Sequence, residues 1–461
     1  MWFNGRAMCL SQKVCRAKGT RMSRNGRCTG ALPVPVILGS IMNAYGLVRS
    51  FGEKGVKSIV ADRRPGPAKF SRYVQQRWRL PSTHPTAAAV ETLLSHAKAC
   101  NSRLMLVPTD EAWIVAIMDR RREFEKYFCL PLPDTEIALL TLTKTRMHGW
   151  CLDHGVRVPH TEIFQPGQDW ETFLQSAQPH LPVIVKPQTK GAGDEAIGFM
   201  TRVFESLEDL LDWGRSQGKQ GPSCGVLYQR FLSGPASNVM AYHGYRTADG
   251  RVFMAGLTKL RIQPPVCGGS TSAGYLRADD ESKQASLDML EKLRYRGFFD
   301  IEFMRDQKDG LLYFIEINPR PGMPNYGATA VGVNFPWAAC ADQAGQAPTE
   351  SCIVNQSDRI WIQLLSDFAA YVIFYHAQGH GIGPLAWWRS IRPYRLVDVY
   401  FSLRDPLVFL AGAVQMAWAC ATHVPAMFAR LLRRAGRRPL SQRALNRPTA
   451  STEAQDAGRR P

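Results

Sequence analysis

Two short segments near the middle of the chain carry acidic side chains at a spacing suited to binding a metal ion. Residues 299–304 (FDIEFM) and 312–320 (LYFIEINPR) alternate polar and apolar residues with period two, which is typical of half-buried strands. Asp309-Gly310 between them is a turn signal, so the two segments are predicted to form an antiparallel hairpin. Pairing centred on the turn then sets Glu302 directly opposite Glu316.

Two opposed carboxylates destabilise a sheet, and burying both without a partner would cost still more. Asn318 lies two residues beyond Glu316 and therefore shares its face. Carboxylate and amide oxygens are hard ligands that suit Mg²⁺, which typically keeps substrate phosphate oxygens in its coordination shell. Glu302, Glu316 and Asn318 therefore predict a metal site for phosphoryl chemistry.

The composition indicates a globular protein whose basic character is confined to its ends. The 461 residues, 45% hydrophobic and 21% charged, predict two or three domains. Of the net charge of +18, residues 1–30 supply seven Lys or Arg without an acid, and residues 430–461 supply nine Arg against two acids. The body between shows neither a basic stripe nor interleaved aromatic residues, so nucleic acid is not a predicted partner.

Cysteine usage and the N-terminus bear on the compartment. Eleven cysteines, an odd number without a Cys-x-x-Cys pair, argue against a disulfide framework and favour a reducing, cytoplasmic location. The N-terminus lacks the apolar core of a secretory signal. Its Arg-rich, acid-free composition resembles a transit peptide in which Ser is scarce, and translation from Met22 is the alternative.

Alternating strands and helices in residues 32–140 predict a parallel sheet. The predicted strands are 33–40, 56–62 and 104–108. Asp62 at the end of the second strand suggests a dinucleotide fold, but the glycine fingerprint of that fold is missing. This region is therefore interpreted as mainly structural.

A lysine ends the strongly apolar strand 181–187 (LPVIVKP), where Lys186 is unfavourable unless it has a partner. The sequence QTKGAGD follows at 188–194, and a glycine-containing loop after a strand can lay backbone N–H groups along phosphates. The loop is not a Walker A motif, because no Gly-Lys-Ser/Thr opens a helix. A hairpin tip without a ligand is the alternative.

Two later strands carry polar residues within apolar runs. In residues 225–232, Gln229 is placed either to read an adenine edge or to point to solvent. In residues 254–261, Lys259 and Arg261 share one face and lead into a polar loop, which suits an anionic substrate. An ordinary solvated edge strand is the alternative for this pair.

Beyond about residue 345 the chain is predicted to be helical, around 360–375 and 407–432. Residues 407–421 are strongly apolar, and five arginines follow between 430 and 438. Polar residues weaken the run as a membrane span. An amphipathic helix that contacts an anionic membrane surface through residues 407–438 is one interpretation, and a helix packed on the protein's own core is the other.

Four features now stand in a fixed order: Lys144 at a helix start, Lys186 before the glycine loop, the Gln229 strand and the hairpin. This order resembles the ATP-grasp superfamily of ATP-dependent carboxylate–amine ligases, and IEINPRPG at 315–322 resembles its most specific motif. The segments ILGS…NAYGLVRSFGEKGV and FSRYVQQRWRLP resemble the domain that precedes the ATP-grasp domain. The resemblance covers about residues 32–345.

The resemblance implies an α/β fold class, in which an α+β ATP-grasp fold follows a parallel-sheet pre-ATP-grasp domain and precedes a helical C-terminal region. The implied divisions are a basic disordered tail at 1–31, the pre-ATP-grasp domain at 32–140, the ATP-grasp domain at 141–345 with a lid subdomain at 141–234 and a metal and substrate subdomain at 235–345, the helical region at 346–434, and a basic disordered tail at 435–461.

The resemblance also implies roles for the candidate residues. Lys144 and Lys186 would hold the α- and β-phosphates of ATP, and Arg320 would steady the transferred phosphoryl group and the acyl phosphate. The implied ATP-binding residues are Lys144, Lys186, Lys190, Gly191, Gly193, Gln229, Arg230, Phe231 and Leu232. The implied metal ligands are Glu302, Glu316 and Asn318, and the predicted substrate-binding residues are Lys259, Arg261 and Arg320. Relatives often carry a carboxylate at the position of Gln229, and Asp rather than Thr143 before the first lysine.

The expected activity is the ATP-dependent phosphorylation of a carboxylate to an acyl phosphate, which an amine then attacks with release of ADP and phosphate. One or two Mg²⁺ ions, or Mn²⁺, two lysines and an arginine would supply the charge neutralisation that this chemistry needs. The alternatives are activation of bicarbonate, as in carbamoyl-phosphate synthase or biotin carboxylase, and a membrane-surface protein without catalysis. The acid, the amine and the oligomeric state are not predicted.

Overall fold

The computed structural model describes residues 21–22, 28–188, 192–263, 269–375 and 381–418. The described residues form sheets of two, five, four and eight strands. The strands are β1 (Arg21–Met22), β2 (Cys28–Thr29), β3 (Val34–Leu38), β4 (Ser58–Asp62), β5 (Val74–Arg79), β6 (Leu104–Pro108), β7 (Phe128–Cys129), β8 (Thr161–Phe164), β9 (Val183–Pro187), β10 (Arg202–Phe204), β11 (Val226–Arg230), β12 (Val239–Arg246), β13 (Val252–Ile262), β14 (Thr271–Tyr275), β15 (Gly297–Arg305), β16 (Leu312–Asn318), β17 (Cys352–Val354), β18 (Arg359–Ile362) and β19 (Arg395–Asp398).

Helices cover the sheets. The α-helices are α1 (Met42–Gly52), α2 (Ala87–Lys98), α3 (Glu111–Asp119), α4 (Arg121–Phe124), α5 (Thr135–Leu142), α6 (Lys144–Asp153), α7 (Trp170–Gln175), α8 (Ala192–Ile197), α9 (Leu207–Ser216), α10 (Asp280–Lys292), α11 (Asn325–Ala330), α12 (Phe335–Gln343), α13 (Leu364–Phe368) and α14 (Pro384–Ile391). Short 3₁₀ helices span Pro67–Phe70, Gln178–His180 and Ala236–Asn238, a π-helix spans Ala369–Phe374, and residues 406–418 are helical.

The five-stranded sheet is parallel, with strand order β5-β4-β3-β6-β7, as the sequence predicts. Strand β3 alternates between two cores, because Val36 and Leu38 pack under α2 and α3 while Ile37 packs under α1. The carboxyl ends of parallel strands meet at one edge of a sheet, which is where α/β folds bind ligands. Gly39 and Asp62 therefore lie side by side at a cavity wall.

A single hydrophobic core joins this sheet to the eight-stranded one. Tyr45 and Phe51 of α1 pack in the same buried cluster as Tyr245, Phe298 and Phe335. The buried aromatic side chains leave little freedom for the two sheets to move as separate layers. The cavity between them is therefore built on a rigid frame.

The four-stranded antiparallel sheet has the order β10-β9-β11-β8 and its own core around Phe164, Trp170 and Trp213. In the pairing of β9 with β11, Lys186 opposes Leu227, and Gln229 opposes Ile184. Residues two apart share a face of a strand, so Lys186 and Gln229 project on the same side.

The predicted hairpin is present as β15 and β16 in the eight-stranded sheet, and its predicted pairing is confirmed. Glu302 is the direct partner of Glu316, and Asp300 is the partner of Asn318. The register shifts by one residue after Glu302, where Ile315 is the extra residue of a β-bulge. The end of the hairpin that carries Glu302 and Glu316 therefore keeps the pairing that the sequence predicts.

The region after residue 345 is only partly helical, which corrects the sequence prediction. Residues Ile360, Trp361 and Ile362, predicted as helix, are fully buried in β18, which pairs with β14. β-branched and aromatic residues favour strands, and the edge of the eight-stranded sheet supplies the backbone partners for them. Strands β17 and β19 also join this sheet. A second local difference is α8, a helix where the sequence predicts a glycine loop.

Candidate active site

A cavity of about 720 Å³ lies where the carboxyl edge of the parallel sheet, the four-stranded sheet and the hairpin meet. Its lining includes the predicted residues Lys144, Lys186, Gln229, Arg230, Phe231, Leu232, Lys259, Arg261, Glu302, Glu316, Asn318 and Arg320. Gly193 is buried within α8 and is not part of this lining. Lys190 and Gly191 lie outside the described residues.

The hairpin brings acidic and amide groups together on the cavity wall. Glu302 faces Glu316 across the strand pair, and Asn318 Nδ2 donates to Glu316 Oε1 at 3.0 Å. Asp300 shares the face of Glu302 and adds a third carboxylate, which the sequence analysis did not single out. The same period-two alternation that identified Glu302 would have identified Asp300.

Lys259 forms an ion pair with this cluster, its Nζ lying 2.7 Å from Glu302 Oε2. Burial alone would lower the pKa of Lys259, but Glu302, and behind it Glu316 and Asp300, raise that pKa above its ordinary value. Burial raises the pKa of Glu302. Lys259 opposes this, and Glu316 and Asp300 add to it, so the net shift is upward. Lys259 thus partly neutralises a cluster with excess negative charge.

This donor set fits a hard divalent cation. Two carboxylates and an amide oxygen are the ligands that Mg²⁺ accepts, and the cluster's excess negative charge favours a cation. Within the described ranges, no group of three or more His, Cys, Asp or Glu side chains is arranged to hold a metal ion by itself. A site of this kind suits Mg²⁺, which usually takes one or two protein carboxylates and fills its shell with water and phosphate oxygens.

A buried histidine extends the cluster. His243 of β12 pairs with Asp300 of β15, and its Nδ1 lies 2.8 Å from Asp300 Oδ1. Burial would raise the pKa of Asp300, but His243 and then Arg320 lower it below its ordinary value. Gly322 packs against this pair, since a Cβ there would lie 2.3 Å from His243 Nδ1. Sequence reasoning missed His243 because its partner is set by sheet pairing.

Arg320, just beyond the hairpin, is held by the N-terminal domain. Its Nη2 lies 2.6 Å from Oε1 of Glu111, and its Nη1 lies 3.9 Å from Oδ2 of Asp300. Glu111 begins α3, whose N-cap is Asp110. This helix start follows β6 at the carboxyl edge of the parallel sheet. That position is the only sequence signal that could have pointed to Glu111.

The lysines that the sequence analysis assigns to phosphates face the cavity from the four-stranded sheet and from α6. Lys186 Nζ donates to Gln229 Oε1 at 3.1 Å, and Gln229 Nε2 donates to Thr161 Oγ1 at 3.0 Å. Lys144, the first residue of α6, donates from Nζ to the carbonyl of Pro187 at 3.3 Å. The neighbouring strand β11 thus gives Lys186 the partner that its position at the end of an apolar strand requires.

The segment after β11 is the predicted contact for adenine. The backbone N–H of Arg230 donates to His160 O, and that of Phe231 donates to Pro182 O. The N–H of Leu232 donates to no acceptor among the described residues. It is therefore the donor of this segment that a bound base could use.

Arg261 lies in a different environment from Lys259, although both line the cavity. Its Nε donates to both carboxylate oxygens of the buried Asp367, at 3.0 and 2.9 Å, and its Nη1 donates to Ser390. Ser272 and Trp387 donate to the same carboxylate. The guanidinium therefore ties β13 to the C-terminal region. A bulge in β13 between Lys259 and Arg261 accompanies this difference between the environments of the two side chains.

The fold and the arrangement of the site agree with one class of proteins. The relatives and solved structures that the chain resembles are ATP-grasp enzymes, and this similarity supports an ATP-dependent carboxylate–amine ligase. Among curated proteins, it is similar to D-aspartate ligase of Enterococcus faecium (strain Aus0004), with 25% identity over 351 residues that cover 71% of this chain and 82% of that enzyme. It is also similar to D-alanine–D-alanine ligase of Xanthomonas axonopodis pv. citri (strain 306), with 24% identity over 45% of this chain and 67% of that enzyme.

Solved structures show the same fold. An ADP complex of purK, N5-carboxyaminoimidazole ribonucleotide synthetase, matches with a TM-score of 0.54 at 14% identity and covers 72% of this chain and 81% of its own. A nucleotide complex of biotin carboxylase from Campylobacter jejuni matches with a TM-score of 0.55 at 15% identity over 69% of this chain and 72% of its own. No protein-family model matches the chain.

Proposed function

We propose that this protein phosphorylates the carboxylate of a small molecule with ATP and couples the acyl phosphate to an amine, releasing ADP and phosphate. The observation that carries the proposal is the opposed pair Glu302 and Glu316, which faces the same cavity as Lys186 and Arg320. Phosphoryl transfer depends on alignment and charge neutralisation more than on covalent help from the protein. The cavity concentrates groups of that kind.

Each charged group has a distinct part in this scheme. Glu302, Glu316 and Asn318 would hold one or two Mg²⁺ ions, or Mn²⁺, which supply charge neutralisation to the phosphates when bound. Lys144 and Lys186 would bind the phosphate oxygens of ATP. These side chains approach the cavity from separate elements, α6 and β9, and so can bind two phosphate groups.

Arg320 is suited to hold the transferred phosphoryl group. Its guanidinium is oriented by Glu111 and sits beyond Asp300 at the end of the hairpin. A planar guanidinium can donate two hydrogen bonds to phosphate oxygens. As the amine nitrogen attacks the acyl carbon, the bond between that carbon and the phosphate oxygen would break. Phosphate would leave with the bonding electrons, and the nitrogen would lose a proton to solvent.

Amino acids are the first compounds to test as acid and amine. The curated relatives are named D-aspartate ligase and D-alanine–D-alanine ligase. Lys259 engages Glu302 in the described structure, so its predicted contact with substrate requires the bound cation to displace it. Arg261 is held by Asp367. In this scheme it therefore fixes the position of strand β13 and does not bind the substrate directly.

The test is ADP release from ATP and Mg²⁺ in the presence of paired amino acids. We expect release that requires both an acid and an amine, and we expect Lys186→Ala and Glu316→Ala to abolish it. Lys57→Ala and Glu205→Ala, at exposed positions outside the cavity lining, are the matched controls. Wild-type turnover in either site variant would overturn the assignment.

Activation of bicarbonate is the second candidate, supported by the similarity in fold to biotin carboxylase. Turnover that bicarbonate stimulates without an organic acid would favour it over the ligase. We also propose that the reaction takes place in the cytoplasm, which the free thiols of six of the described cysteines support. A peripheral membrane contact through residues 407–438 completes this proposal, although the ligase reaction does not require it.

A further inference from the structure

The helix at residues 406–418 is apolar on two opposite faces. Its inner face carries Val408, which is fully buried in the core shared by the two large sheets, and Gly412, which packs on the ring of Tyr400. Its outer face carries large apolar side chains at intervals that form a single stripe along a helix. The stripe residues and their exposed fractions are Leu407 (60%), Leu410 (58%), Val414 (70%) and Trp418 (71%).

The orientation of this helix is fixed, so the stripe cannot turn inward. Asp405, directly before the helix, is buried and accepts hydrogen bonds from Ser71 Oγ and from the backbone N–H of Arg72. The preceding turn is also held, because Arg49 Nη1 donates to the carbonyl of Phe401 at 3.1 Å. These contacts join the start of the helix to the N-terminal domain.

The stripe is part of a larger apolar surface. Leu403 and Phe401 in the preceding loop are also exposed, and the ring of Phe401 lies 5.5 Å from that of Phe409. Six of the fifteen exposed large apolar side chains in the described part of the chain fall within residues 401–418. Such a concentration differs from the scattered single residues of an ordinary surface and marks an interaction site.

The charge of the adjoining sequence indicates what covers this surface. Residues 406–452 contain seven arginines and no acidic residue. Clustered arginines next to an apolar helical face favour a surface that is both negatively charged and apolar beneath, which describes a bilayer with anionic lipids. Among the described residues, no helix is both long and apolar enough to cross a membrane.

We infer that Leu407, Leu410 and Val414 form a docking surface for an anionic lipid bilayer. In this arrangement the helix lies in the plane of the interface and the stripe enters the boundary between headgroups and acyl chains, while the positive charge of the sequence that follows adds to the attraction of anionic lipids. The inference does not depend on the ligase activity, since it rests on a surface formed by other residues.

The test is co-sedimentation of the full chain with vesicles of phosphatidylcholine, with and without 30% phosphatidylglycerol. We expect binding to the anionic vesicles, weak binding to the neutral ones, and a loss of at least tenfold in 0.5 M NaCl. The double variant Leu410→Asp/Val414→Asp should lower the bound fraction at least tenfold. Leu152→Asp/Leu311→Asp, which adds the same charge at two exposed leucines elsewhere, should bind like the wild type.

Thermal unfolding of each variant checks that the fold is kept without reference to activity. Equal binding of the stripe variant and the wild type would overturn the inference, as would equal binding to neutral and anionic vesicles. Light scattering gives the other outcomes. If the wild type were a dimer and Leu410→Asp/Val414→Asp dissociated it, the stripe would be the contact with a second copy of the chain. If the wild type were a monomer that bound neither kind of vesicle, the stripe would be covered by other residues of the same chain. Either result would also overturn the inference.

Discussion

Arg320 and Glu111 lie 209 residues apart in the sequence and form an ion pair of 2.6 Å at the wall of the cavity. The arginine follows the β15–β16 hairpin, whereas the glutamate begins a helix that packs on the parallel sheet. The region of the parallel sheet therefore does more than pack against the hairpin's sheet. It orients the arginine proposed to hold the transferred phosphoryl group.

Glu111→Gln should lower kcat without unfolding the protein. A charge-assisted hydrogen bond contributes about 1.5–3 kcal/mol, and if this is lost in the transition state the rate falls about 10- to 150-fold. Steady-state ADP release checks this, with Glu123→Gln, in a neighbouring helix that contacts Arg120, as the control. A kcat equal to that of the wild type would show that Arg320 does not need this partner.

Lys259→Met should destabilise the protein when no divalent cation is present. Removing one partner of a buried ion pair costs about 3–5 kcal/mol, because the remaining charge stays buried. Mg²⁺ with ADP should recover part of the loss, since the cation replaces the ammonium charge beside Glu302. Urea unfolding with and without Mg²⁺-ADP measures both effects.

Lys283→Met is the control for this prediction, because Lys283 pairs with the exposed Asp280. An exposed ion pair contributes less than about 1 kcal/mol, so this variant should unfold near the wild-type midpoint. If Mg²⁺-ADP stabilised Lys259→Met no more than the wild type, the proposed exchange of lysine for metal would be wrong.

Gln229→Leu should weaken ATP binding more than it changes kcat. Lys186 loses one of its hydrogen-bond acceptors, and Thr161 loses the amide that donates to it. A hydrogen bond to a charged group contributes about 1.5–3 kcal/mol, which is about 10- to 150-fold in affinity. Gln229→Glu keeps an acceptor for Lys186 but loses the donor to Thr161 Oγ1, whose own hydrogen is donated to the carbonyl of Pro159, so it should bind ATP more tightly than Gln229→Leu. Nucleotide titration of the two variants decides, and equal affinities would contradict the proposed role.

Asp306 should stabilise the segment after β11 in a manner that depends on pH. Burial would raise the pKa of Asp306, but hydrogen bonds from Ser233 and Lys308 and the contact with Arg230 lower it below its ordinary value. A carboxyl with a lowered folded-state pKa stabilises the fold above its unfolded pKa of about 3.9, and this contribution is lost as the pH falls through the folded-state pKa.

Asp306→Asn should therefore lower the free energy of unfolding by about 1.5–3 kcal/mol at neutral pH. The difference from the wild type should stay constant between about pH 5 and 7 and shrink below about pH 4. Urea unfolding at pH 7, 5 and 3.5 measures it. If the difference in unfolding free energy grew as the pH fell, the folded-state pKa of Asp306 would be raised and the prediction would be wrong.

The sequence by itself predicted the parts of the site that depend on short-range order. The pairing of Glu302 with Glu316 follows from a period-two pattern and a nearby turn, and the structure has that register. The positions of Lys144 and Lys186 at the start of a helix and near the end of a strand follow from local hydrophobic patterns in the same way. Steric rules and side-chain alternation act over a few residues, so their effects can be recognised within one short stretch of sequence.

Only the tertiary structure decided which distant groups meet. Lys259 and Arg261 look equivalent in the sequence, yet one pairs with Glu302 and the other with Asp367. The strand character of residues 360–362 also depended on an open sheet edge formed by β14, a distant strand. Such contacts arise when elements pack together, and their energies depend on burial and orientation, which no local pattern of residues encodes. The ion pair of Arg320 with Glu111 has the same origin, which is why the sequence predicted a role for the arginine but not its partner.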